Sequence, residues 1–79
     1  MVGNPPRSGK TIMLMRELIQ AIKNLENTDT SNQSVMKAYA DKLEDMSGGD
    51  IGVRWWIHEN KLHCTIVYPN NTTRELLEW

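Results

Sequence analysis

The segment IGVRWWIHENKLHCTIVY, residues 51 to 68, decides the fold. Folded back at Glu59 and Asn60 as a two-residue hairpin loop, it sets Ile57 against Leu62, Trp55 against Cys64, Val53 against Ile66 and Ile51 against Tyr68. Successive strand residues point to opposite sides, so one face of this ribbon is apolar or aromatic throughout. The other face receives Gly52, Arg54, Trp56, His58, Lys61, His63, Thr65 and Val67. A slip of one residue would scramble the division, which is why the pattern specifies the pairing even though Glu-Asn is a weaker turn signal than Asn-Gly. One face therefore seeks a core, and the other offers an indole among cations.

Upstream of the hairpin the period changes from two to between three and four. In residues 11 to 25, Met15, Leu18, Ile22 and Leu25 recur at helical spacing, widened by Ile12 and Ile19, with Arg16, Glu17, Gln20, Lys23 and Asn24 on the polar side. Ser8 or Thr11 is the expected N-cap. The run ENTDTSN, residues 26 to 32, is rich in short polar side chains that favour turns and ends the helix. A second amphipathic helix follows on Met36, Tyr39, Leu43 and Met46, with Lys37 placed to pair with Asp41, and Ser47-Gly48-Gly49 stops it. Two matched helices joined by a short polar loop pack antiparallel. Beyond the hairpin, Pro69 ends the second strand, and Thr72 with Glu75 reads as a capping box for a helix over residues 73 to 79. Leu76, Leu77 and Trp79 are then expected to close one edge of the core. The expected fold is α+β in the order α-α-β-β-α: an antiparallel helical hairpin packed on a two-stranded antiparallel β-hairpin, with a short C-terminal helix. Residues 1 to 10 read as an extended, flexible basic lead-in, and 11 to 79 as one domain.

Seventy-nine residues bury only a small core, and two strands are marginal in water, so a partner or a second copy would add stability. Nine Lys and Arg stand against ten Asp and Glu, a balance that argues against bulk electrostatic capture of nucleic acid while allowing a local basic patch. The single Cys64 forms no internal disulfide, and no apolar run has the length of a signal core or a membrane span, so a cytoplasmic chain without membrane contact is expected. Three Asn-x-Ser/Thr triplets, beginning at Asn32, Asn70 and Asn71, fall where helices are capped and read as local structure.

Chemistry-bearing motifs are few. The octet Asn4-Pro5-Pro6-Arg7-Ser8-Gly9-Lys10-Thr11 resembles the phosphate-binding loop of P-loop NTPases, G-x-x-x-x-G-K-[ST]. It departs from it at Asn4, where the first glycine belongs, and only Met1 and Val2 precede it where a strand should deliver the loop. The resemblance implies a nucleotide whose phosphates Lys10 reaches while the Thr11 hydroxyl holds magnesium; apart from the resemblance, Arg7, Lys10, Thr11 and the helix N-terminus read as a simple anion site. His58 and His63 share a face of the hairpin but are two ligands where a metal site needs more, so no metal and no cofactor are expected. Cys64, facing Trp55, reads as a buried, inert thiol, and no spacing suggests a catalytic triad. Met13 and Leu14 lie beside the main stripe of the first helix and leave it apolar over more of its circumference than one contact requires.

These readings lead to a non-enzymatic binding module of the inhibitor or adaptor kind, such as small phage or plasmid accessory proteins. It would engage a protein partner through Arg54, Trp56, His58, Lys61 and His63, together with Met13 and Leu14. The alternatives are nucleic-acid binding by the same hairpin face, where an indole stacks on bases and cations meet phosphate, and anion binding at residues 4 to 11.

Overall fold

A computed structural model describes residues 9 to 78. The chain forms α1 (Gly9–Leu25), a 3-10 turn (Thr30–Asn32), α2 (Gln33–Met46), β1 (Gly52–His58), β2 (Lys61–Val67) and α3 (Asn71–Leu77). This is the expected α-α-β-β-α order, with one two-stranded antiparallel sheet. Met15, Ile19 and Ile22 of α1 meet Met36, Ala40 and Leu43 of α2, and Ile51, Val53, Leu62 and Leu77 complete the core. The two helical stripes read from the sequence are thus the faces that are buried, because only those faces remove apolar area from water on both sides of the contact.

The hairpin register is the one dictated by the alternation: Val53 opposes Ile66, Trp55 opposes Cys64 and Ile57 opposes Leu62, closing at His58 and Lys61. Glu59 and Asn60 have φ of 53° and 62°, both left-handed, as the tight turn that matches strand twist requires. Cover over the inner face fades along β1 toward this turn. Val53 is buried and Trp55 half-buried, whereas Ile57, expected in the core, is 46 % exposed, while Leu62 opposite it is fully buried.

Helix ends explain how the strands are delivered. At the end of α2, Gly48 and Gly49 adopt φ of 68° and 89°; the Gly48 N–H donates to Asp45 O and the Gly49 N–H to Glu44 O, the paired bonds of a Schellman cap. Buried Ser47 turns the chain onward: its Oγ donates to Glu44 O at 2.9 Å and accepts from the Ile51 N–H at 3.0 Å. At the end of α1, Asn27 takes the left-handed conformation with φ 68°.

Three expectations at the helix ends are corrected. Thr11 lies within α1, which begins at Gly9, and so does not cap it; Ser8 and the rest of residues 1 to 8 lie outside the described residues. The cap of α3 is Asn70, whose side chain accepts from the Thr73 N–H at 2.8 Å, so the helix starts ahead of the Thr72 box. Asn70 is extended, and the asparagine immediately after Pro69 reaches the orphan amide before Thr72 can. Leu77 is buried, but Leu76 is 50 % exposed, because only one side of so short a helix faces α1; Trp79 lies outside the described residues. Docking of α3 is completed by Arg16, which donates from Nε to Leu76 O at 2.9 Å, and by Lys23, whose Nζ meets Glu78 Oε1 at 2.9 Å. The expected Lys37–Asp41 pair is present at 3.4 Å on the solvent side of α2.

Candidate functional site

Because the helices cover the inner face of the hairpin, strand alternation turns Arg54, Trp56, His58, Lys61 and Thr65 outward, and all are exposed. Trp56 and His63 are directly opposed in the register, and their rings stack with centroids 5.7 Å apart and planes 17° from parallel. His58 meets His63 edge-on at 5.9 Å. Trp56 is still 48 % exposed, so one side of its indole is held by an imidazole while the remainder stays open to solvent. A tryptophan fixed in this way offers large contact area with little entropy left to lose on binding. Glu59, at the turn, reaches back so that its Oε1 lies 3.9 Å from His58 Nε2.

The structure brings five of the sequence-predicted residues, Arg54, Trp56, His58, Lys61 and His63, onto one face. Met13 and Leu14 are exposed, at 62 % and 41 %, but they sit in the helix layer near the start of α1, on the other side of the sheet. They form a separate apolar surface. Lys10 is exposed on the first turn of α1 and Thr11 is half-buried, while Arg7 and the remainder of the loop-like octet lie outside the described residues. Among the described residues no group of three or more His, Cys, Asp or Glu is placed to hold a metal ion.

Two glutamates went unread in the sequence. On the outer edge of β2, Glu26 Oε2 accepts from the Cys64 N–H at 3.1 Å and from Cys64 Sγ at 3.2 Å. On the outer edge of β1, Glu44 Oε1 accepts from the Val53 N–H at 3.1 Å. Each strand therefore has an outward amide held by a carboxylate from a helix C-terminal end, Glu44 in the last turn of α2 and Glu26 just past α1. A weak signal existed: both glutamates lie at the C-terminal end of a helix, where the dipole disfavours negative charge, so they are out of place unless something else binds them. Burial, reinforced by the bond to Glu26, pushes the Cys64 thiol up to about 12. At that value the thiol stays protonated near neutrality.

The residues between the helices do more than link them. The Asn27 N–H donates to Leu62 O, the Leu62 N–H donates to Thr28 O at 2.9 Å, and Asp29 forms an isolated antiparallel bridge to Lys61, so residues 27 to 29 cover the β2 edge beside Lys61 and Leu62 without forming a strand of the sheet. Comparison with known proteins gives no matching family model, curated protein or solved structure. Among the described residues, no helix is long and apolar enough to cross a membrane.

Proposed function

We propose that this chain is a small non-enzymatic binding module that engages a protein partner through the outward face of the β-hairpin, with Trp56 as the anchor. The observation that carries the reading is the half-exposed indole stacked on His63 between Arg54 and His58. Tryptophan and arginine dominate the energetics of protein contacts because they combine area with directed polar groups. Exposed Val67 on the same face extends the apolar surface, and Lys61 and Glu59 give it a charged rim.

The same stacked pair, ringed by cations, also supports single-stranded nucleic-acid binding, where bases stack on an exposed ring. The two readings separate by salt and by nuclease. Affinity capture from the source cell with wild type and Trp56→Ala, followed by nuclease treatment, is the test. A protein retained after nuclease and absent from the Trp56→Ala capture is expected. Loss on nuclease treatment, with affinity falling steeply as salt rises, would turn the assignment to nucleic acid.

A further inference from the structure

The backbone direction along β1 is fixed by two independent bonds. Leu62 sends its N–H and C=O outward to residues 27 and 28, so its partner Ile57 also directs its N–H and C=O away from β2. Val53, two pairs away, sends its N–H outward to Glu44. Trp55 lies between them and shares that direction. Among the described residues, nothing pairs with the outward backbone groups of Trp55 and Ile57. These four groups form an open sheet edge beside a half-exposed isoleucine.

We propose that this edge is occupied by β1 of a second copy of the chain, running antiparallel about a two-fold axis at Trp56, to give a four-stranded sheet. One register is available. Pairing Val53 with Ile57 of the other copy needs the Val53 N–H, which Glu44 already holds, and pairing Trp55 with Glu59 needs a residue that lies in the turn at φ 53°. Only Trp55 opposite Ile57 uses nothing but the free groups, and the symmetry repeats it, for four hydrogen bonds in all.

Side chains agree with that register. On the outward face Trp56 meets its own copy at the axis, so that two indoles stand side by side, each backed by its His63. Arg54 falls opposite His58 of the second copy, and Glu59 holds its carboxylate beside that histidine at 3.9 Å. Each guanidinium thus meets a carboxylate across the interface, twice by symmetry. The turn of the second copy, opposite Gly52 and Val53, enters a cleft of about 360 Å³ lined by Glu44, Gly49, Asp50, Gly52, Val53 and Arg54. There the Asn60 side-chain amide finds carboxylates to which it can donate. The hydrogen bonds of the pairing lie along the edge of β1, and its test uses the purified chain alone, so its failure is distinguishable from failure of a partner contact at the outward face.

The test is sedimentation equilibrium of the purified chain from micromolar to millimolar concentration, with amide exchange followed by NMR. Reversible dimerisation is expected, with the Trp55 and Ile57 amides slowing as concentration rises and the Trp56 amide, already bonded within the hairpin, unchanged. Ile57→Pro removes an outward donor without touching the β1–β2 ladder and should abolish the dimer; Ile57→Lys, which keeps the backbone intact, should do the same where the proline variant fails to fold. Arg54→Glu or Glu59→Arg alone should weaken association roughly tenfold, since two pairs are lost at once, and the double exchange should restore it. A chain that stays monomeric to millimolar concentration, or a dimer indifferent to Ile57→Lys and to the charge exchange, would overturn the proposal.

Discussion

The two edges of one hairpin are finished in different ways. Along β2, residues 27 to 29 close the edge opposite Lys61 and Leu62, and Glu26 holds the next outward amide at Cys64. Along β1, Glu44 holds Val53 and the edge is then bare at Trp55 and Ile57. Unpaired edges invite further strands, and folds ordinarily cover them or interrupt them. The contrast teaches that the interhelical segment caps one edge of the sheet, and that the hairpin is protected on the side reached by the chain's own loop and open on the side where α2 offers only one carboxylate.

Leu62 is where the closed edge and the core coincide, being fully buried and bonded to the loop through both backbone groups. Leu62→Ala should cost about 2–5 kcal/mol in denaturant unfolding, the range for emptying a buried leucine site. The mirror substitution on β1, Ile57→Ala, removes a side chain that is already 46 % exposed and should cost far less. Equal losses would show that the two edges are equally covered and would erase the distinction.

The carboxylate braces come next. Glu26→Ala and Glu44→Ala each strand one strand amide, and about 1–3 kcal/mol attaches to a donor left unsatisfied away from water. Glu26→Ala should be the more costly, because the Cys64 thiol loses its acceptor as well. Glutamine at either position retains an accepting oxygen and should recover much of the loss. A second readout belongs to β2 alone. Removing Glu26 should bring the Cys64 pKa down from about 12 toward its ordinary value, though not all the way, since burial is its main cause, and thiol-reagent kinetics against pH would record the change.

The sequence made the strands legible because period two admits a single register, and the helical stripes legible because three-four spacing names the buried face. Ile57 misled for a physical reason: alternation says which side a residue points to, not how far the covering helices extend. The cap of α3 was ambiguous because Asn70, Asn71, Thr72 and Thr73 are four cap-forming residues in a row. Glu26 and Glu44 were hidden by distance, since Glu26 finds its partner 38 residues away and no local period encodes that. Of the outward face, the alternation gave the membership, whereas the stacking of Trp56 on His63 required the register to be known first. Met13 and Leu14 stand apart from that face because α1 lies beneath the sheet, a layer order that stripe analysis does not resolve.

The smallest effect separates a third carboxylate from the two braces. Glu26 and Glu44 meet neutral amides, but Glu78 meets cations: Lys23 at 2.9 Å and Arg74 at 2.9 Å. The hydrogen bond from Lys23, chiefly, with that from Arg74 adding to it against a partial cost of burial, depresses the Glu78 pKa from 4.5 to about 2. A carboxylate whose folded value lies below its unfolded value stabilises the fold when ionised. That contribution is complete above the unfolded value of 4.5 and is lost as pH falls from there through about 2. Since Lys23 and Arg74 are exposed and Glu78 is only partly covered, screening limits it to roughly 0.5–1 kcal/mol. The stability difference between wild type and Glu78→Gln should therefore be present near neutral pH, shrink through the acid range and vanish below the folded pKa. Added salt should shrink it as well, whereas the Glu44→Ala loss, which rests on an unsatisfied amide, should hold in salt. If the Glu78 difference proves independent of salt and of pH, then Leu77 and the Arg16–Leu76 contact hold α3 to α1 without help from the ionic clasp beside them.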